Sequence, residues 1–206
     1  QLMSIFKFGL GLSNSLMIPL SIFLIVFTPE IVSLLMGDKW MEMVVPLQIM
    51  FVVLPFSNSG RMADSIIRAK GLVYKNVLRK YAFTAIILTL SMVLGYFYGI
   101  IGAAIGVSIS YFINYLMMIV LVNRVFNKTI EEVFIGPLLT GFKLGFYLLV
   151  LIFTYKAIFG LFWKISVFHF IGTSILCLIL LFLVGRYNPR FLGIYISTTL
   201  SKYLKK

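Results

Sequence analysis

The sequence predicts an all-α integral membrane protein with six transmembrane helices. Hydrophobic residues make up 61% of the 206-residue chain and charged residues 12%, whereas soluble globular chains average about 45–50% and about 25%. The mean hydropathy is +1.07. The formal net charge of +12 does not indicate nucleic-acid binding. Its cations lie between apolar runs, as membrane topology signals do, and not on one basic face of a soluble domain.

Six apolar runs define the predicted spans, since a crossing needs about 20 mostly apolar residues. They lie near 8–36, 42–67, 81–98, 100–122, 138–159 and 165–185. The first two runs contain Pro19, Pro29, Pro46 and Pro55. Kinked or tilted helices are expected there, because proline removes a backbone donor and clashes with the preceding turn. The third and fourth runs are joined only by "GYFYGIIG", which leaves no room for an external domain.

The distribution of lysine and arginine predicts that both ends of the chain are cytoplasmic. Only Lys39, Lys156 and Lys164 fall in the predicted outer loops, whereas thirteen of the 18 Lys and Arg residues fall in the inner segments. An excess of cations marks the cytoplasmic side of membrane proteins. Trp40 and Trp163 lie where an outer aromatic belt is expected. We therefore predict a multi-pass protein of the inner (plasma) membrane.

Three pairs of glycines have the small-xxx-small spacing that lets helix backbones approach closely. They are Gly95 with Gly99, Gly102 with Gly106, and Gly141 with Gly145. Tight packing between neighbouring spans is the simpler interpretation. A sliding contact between the helices of a transporter is the alternative.

Several blocks together resemble one transporter family. They are "IPLSIFLIVFTPEIVSLLMGDKW", "VVPLQIMFVVLPFSNSG", "IIRAKGLVYKNVLRKY" and "YGIIGAAIGVSISYFINYLMMIVLVNRVF", in that order. Over roughly residues 15–140 the chain resembles the C-terminal part of the polysaccharide transporter (O-antigen flippase) family. That family belongs to the multidrug/oligosaccharidyl-lipid/polysaccharide exporter superfamily. The last two spans agree with it by hydropathy and topology only.

The resemblance implies the second helical bundle of a MATE-like flippase fold. Such proteins move lipid-linked oligosaccharides by alternating access between two lobes around a central cavity. The chain begins with Gln1 and not with Met, so we expect the N-terminal bundle of the full-length protein to be missing from it. The expected partners are a polyprenyl-pyrophosphate-linked oligosaccharide, membrane lipids and that N-terminal bundle. Neither a cofactor nor a metal is expected.

The candidate site is a polar stripe on the second predicted span. Asn58, Arg61, Asp64, Ser65 and Arg68 lie on or beside one helix face, given their spacing of three and four residues. Arg61 lies about 10 Å from the inner end of the span, and a charge at membrane depth costs at least ~2.5–3.5 kcal/mol. A stripe of this kind is expected to face a bundle interior or a water-filled cavity.

Besides snorkelling of Arg61 toward the inner membrane surface, two interpretations of the stripe stay open from the sequence. In the first, Arg61 and Asp64 form an intrahelical pair that neutralises itself and holds helices together. In the second, Arg61 contacts the pyrophosphate of the substrate and Asp64 orients it, since the planar guanidinium suits phosphate oxygens. Asn114 in the fourth span is a weaker candidate, either for an interhelical hydrogen bond or for a sugar contact.

Alternatives to an oligosaccharide flippase are a lipid II or drug/cation exporter of the same superfamily, or a membrane-embedded glycan polymerase or acyltransferase. A drug/cation exporter needs acidic cavity residues, whereas position 61 carries a cation. The enzymes need a sizeable outer loop or clustered acid–base groups. The outer loops are short, and Cys177 and His169 are the only residues of their types. No catalytic residue is therefore predicted.

Overall fold

The computed structural model describes residues 2–126 and 135–159, which are almost entirely helical. The helices are α1 (Leu2–Leu35), a 3-10 helix (Asp38–Met43), α2 (Val44–Val52), α3 (Leu54–Ala69), α4 (Val73–Phe126) and α5 (Gly136–Phe159). The predicted sixth span near 165–185, together with Trp163, His169 and Cys177, lies outside the described residues.

The helices have the length and composition of a membrane protein. Within the described ranges, Ile5–Leu35 and Val73–Phe126 are each long and apolar enough to cross a membrane. Asp38–Val52 and Leu54–Ala69 form a third crossing if this pair, bent by 41°, counts as one span. The all-helical class is confirmed for the described residues and these helices are consistent with a membrane protein, while six crossings and the MATE-like arrangement stay predictions.

Proline acts differently in the first two predicted spans. α1 continues through both Pro19 and Pro29 as one helix, whereas the second predicted span breaks at Val53, between α2 and α3. Pro55 lies in the first turn of α3, where a missing backbone donor has no consequence because that donor has no partner within the helix. The kink expected from the prolines is therefore present in the second span, as a break with a 41° bend, and α1 shows no such break.

α4 is a hairpin of two packed arms, 73–98 and 100–126. The chain reverses at Gly99, whose φ of 60° and ψ of −145° belong to a region that glycine adopts far more readily than other residues. A Cβ atom placed on Gly102 would lie 2.0 Å from the Leu94 carbonyl oxygen, and one on Gly106 would lie 2.6 Å from that of Leu90. The predicted close packing is confirmed at Gly102 and Gly106.

α5 lies against α1 through the third glycine pair. A Cβ atom on Gly141 would lie 2.7 Å from the Asn14 carbonyl oxygen, and one on Gly145 would lie 2.5 Å from Ile22 Cδ1. The close approach predicted for this pair is therefore present. It brings α5 onto the middle of α1, beside Asn14, whose side chain also reaches α3.

The main core joins α1, α3 and the 100–126 arm of α4. Its buried members are Phe6, Leu10, Ala63, Ile66, Ile67, Tyr115, Met118, Ile119 and Val122. Many large apolar side chains outside it are exposed, including Tyr96, Phe97 and Tyr98 beside the hairpin turn. Tyrosine side chains are enriched at the membrane–water interface, so Tyr96 and Tyr98 are suited to the end of a membrane-spanning hairpin.

The hairpin permits a direct test of the predicted orientation. Cysteine introduced at Tyr98, beside the turn, should react with a membrane-impermeant maleimide from outside the cell. Cysteine introduced at Arg124, at the other end of the same arm, should react only after the membrane is permeabilised. Labelling of both positions in intact cells would contradict a membrane-spanning hairpin, and the reverse pattern would contradict cytoplasmic termini.

Candidate functional site

The polar stripe predicted on α3 is divided between two environments. The buried side of the helix carries Ser59, Gly60, Ala63, Asp64, Ile66 and Ile67. Arg61, Ser65 and Arg68 are exposed. α3 therefore has an apolar packed side and a cationic open side, with Asp64 at the edge where it meets α4.

Asp64 is held by two cations from the hairpin and not by its neighbour on α3. Its Oδ1 atom lies 2.5 Å from Arg79 Nη2 and its Oδ2 atom 3.2 Å from Lys80 Nζ. Asp64 and Arg79 are 8% and 7% exposed. The hypothesis of a self-neutralising Arg61–Asp64 pair is wrong, because Asp64 lies on the edge facing α4 whereas Arg61 points away from the packed side.

Arg79 is bound on every side by polar partners. Its Nη1 atom donates to Asn114 Oδ1. Its Nε and Nη2 atoms donate to Asn76 Oδ1 at 3.3 and 3.1 Å. A buried charge is stable only when it is paired and its remaining donors are satisfied. Asn114, a predicted site residue, thus makes an interhelical hydrogen bond across the hairpin.

A second polar contact joins α3 to α1. Asn58 Nδ2 donates to Ser13 Oγ, and Ser59 Oγ donates to Asn14 Oδ1 at 2.8 Å. Within the part of the chain that the structure describes, Asn14 Nδ2 has no hydrogen-bond partner. Asn58, another predicted site residue, therefore connects two helices of the bundle.

The remaining predicted residues leave two cations on an open helix face. Ser65 Oγ donates to the Met62 carbonyl at 2.6 Å, within its own helix. Arg61 and Arg68 are exposed and form no ion pair or hydrogen bond with any residue in 2–126 or 135–159. They are seven residues apart, about 10 Å along the helix axis, and both guanidinium groups are available to an anion.

No family model, curated protein or solved structure matches the chain. The resemblance to polysaccharide transporters therefore stays a prediction.

Arg79 and Asn76 are the residues of this buried polar cluster that sequence reasoning missed. The sequence predicts that Arg79 is one of the cytoplasmic cations, because it stands close to the inner end of the third predicted span. The spacing Asn76-x-x-Arg79 puts both on one helix face, opposite Asn114 once the arms of the hairpin are paired. The sequence contains a signal for this contact, because the short "GYFYGIIG" link makes the two arms of the hairpin neighbours.

Proposed function

We propose that the chain forms one lobe of a transporter that moves a lipid-linked oligosaccharide across the bacterial inner membrane by alternating access. The cargo is a sugar chain on a polyprenyl-pyrophosphate carrier. The N-terminal bundle of the same full-length protein forms the opposite lobe. The open face of α3, defined by Arg61, Ser65 and Arg68, lines the cavity between the lobes.

The proposal rests on the different environments of two neighbouring charged residues of α3, Asp64 and Arg61. Asp64 is neutralised by Arg79 and Lys80, whereas Arg61 stays exposed and unpaired among the described residues. An unpaired cation at membrane depth is costly and is characteristic of a substrate pathway. A guanidinium binds phosphate oxygens in a bidentate manner, which favours an anionic lipid carrier over a cationic drug.

Replacing Arg61 with alanine in the complete transporter is expected to lower glycan export at least about tenfold, the equivalent of one lost charge-assisted contact of ~1.5 kcal/mol. Protein abundance should stay near normal, because Arg61 supports no described contact. Arg61→Lys should restore part of the export, since it keeps the charge but loses the planar fork. Surface-exposed glycan and membrane protein level are measured together.

Lys39→Ala is the matched control, because Lys39 is an exposed cation away from the open face of α3. It should leave export unchanged. Normal export by Arg61→Ala at normal abundance would overturn the substrate role of Arg61. Equal activity of the lysine and alanine variants would show that the charge itself is not used.

A further inference from the structure

The two arms of α4 enclose a groove whose lining includes Arg79, the ion-pair partner of Asp64. It is open, has a volume of about 620 Å³, and is lined by both arms. Leu78, Leu116 and Val120, which stand along it, are 65%, 46% and 48% exposed. The walls are therefore apolar and accessible along their length.

The groove has the length of one membrane leaflet. Along the 100–126 arm it extends from Ile113 to Arg124, eleven residues or about 16 Å of helix. The hydrocarbon core of a bilayer is about 30 Å thick, so one leaflet contributes about 15 Å. An acyl chain of the surrounding bilayer fits this groove end to end.

Two cations stand at one end of the groove. Lys75 is near the start of α4 and Arg124 near its end, so the antiparallel arms bring both to the open end of the hairpin, and both line the groove. Both are exposed, and neither forms an ion pair within residues 2–126 or 135–159. Like charges that share one rim repel each other unless an anion lies between them.

We propose that this groove binds an anionic phospholipid of the cytoplasmic leaflet. Its phosphate lies between Lys75 and Arg124, and one acyl chain lies along Leu78, Leu116 and Val120. Anionic lipids are concentrated in the cytoplasmic leaflet, where juxtamembrane cations attract them. Lys75 and Arg124 lie on α4, so the proposed lipid site uses neither Arg61 nor Arg68, although Arg79 joins its wall to Asp64.

The site is tested with the full chain purified in detergent and titrated with phosphatidylglycerol or phosphatidylcholine. Bound lipid is counted by native mass spectrometry. The wild-type protein should retain phosphatidylglycerol preferentially. A cation at an anionic lipid surface contributes roughly fivefold in affinity, so combining Lys75→Gln with Arg124→Gln should weaken phosphatidylglycerol binding about 25-fold. Phosphatidylcholine binding should change little.

A second variant tests the apolar part of the groove. Leu116→Trp fills the groove from an exposed position and keeps both cations, so it should lower retention of both lipids. Lys39→Gln is the control for charge alone and should retain phosphatidylglycerol as the wild type does.

Two results would overturn the proposal. The first is equal retention of phosphatidylglycerol by the wild type and the double glutamine variant. The second is displacement of phosphatidylglycerol from the groove by lipid-linked oligosaccharide in a competition titration, which would assign the groove to the carrier lipid instead of to the bilayer.

Discussion

Replacing Arg79 with alanine is expected to lower the free energy of unfolding by about 3–5 kcal/mol, the usual effect of removing one partner of a buried ion pair. The substitution leaves the Asp64 carboxylate, whose side chain is 12% exposed in the wild type, with Lys80 as its remaining cation partner. It also leaves the side chains of Asn76 and Asn114 without the donor that they share. The effect is measured by thermal or denaturant unfolding in detergent.

The control for this prediction is Arg68→Ala, which removes an exposed arginine that has no described partner. It should change stability by no more than about 0.5 kcal/mol, as most surface substitutions do. Combining Arg79→Met with Asp64→Leu should recover most of the loss, because replacing both partners of a buried pair with apolar residues is often close to neutral. Equal stability of Arg79→Ala and Arg68→Ala would show that the buried pair is not formed.

The positions of the helices were predictable from the sequence because they depend on local signals. Apolar runs predicted the helices that the structure describes within 2–126 and 135–159, and the glycines of "GYFYGIIG" predicted the turn between the third and fourth runs. The prolines predict a kinked or tilted second span, and the 41° bend agrees with this, but Pro55 has two possible effects, a kink within a helix or the start of a new one. Proline at Pro19 and Pro29 leaves α1 continuous, so the residue type alone does not distinguish these outcomes.

The partner of Asp64 was not predictable from residue spacing. Arg61 lies three residues away on the same helix, and Arg79 lies fifteen residues away on another, so a local pair and an interhelical pair fit the sequence equally well. The packing of α3 decides between them. Its apolar residues Ala63 and Ile67 are fully buried, and this rotation turns Asp64 toward α4 and Arg61 outward.

The ion pairs between Asp64 and the α4 hairpin help to keep Arg61 unpaired on the open face of α3. Because Arg79 and Lys80 both contact Asp64, the carboxylate nearest to Arg61 is already occupied. Without Arg79 and Lys80, the Asp64 carboxylate would be free to pair with Arg61 or with another cation. Correct pairing of the two arms of α4 is therefore required both for stability and for the proposed cation on the transport pathway.

Gly102→Ala should separate these two arms and lower the free energy of unfolding by about 3 kcal/mol, at the upper end of typical overpacking effects. The added Cβ atom would lie 2.0 Å from the Leu94 carbonyl oxygen and 2.7 Å from Tyr98 Cβ. The Leu94 oxygen is a backbone atom, so this clash is relieved only if one arm moves. Such a movement draws Asn114 away from Arg79 and weakens the pair with Asp64.

Gly9→Ala is the matched control for Gly102→Ala, because it makes the same change within a helix where space exists. A Cβ atom there meets only Met62 Sδ, at 4.0 Å, and alanine favours the helix over glycine by about 1 kcal/mol. Gly9→Ala should therefore be as stable as the wild type or more stable, while Gly102→Ala unfolds at a lower temperature in the same detergent. Helix propensity acts in the same direction at both sites, so the difference between the two variants measures the close approach of the arms. If both variants were equally stable, the arms of α4 would not be in contact at Gly102, and the placement of Asn114 beside Arg79 would lose its support.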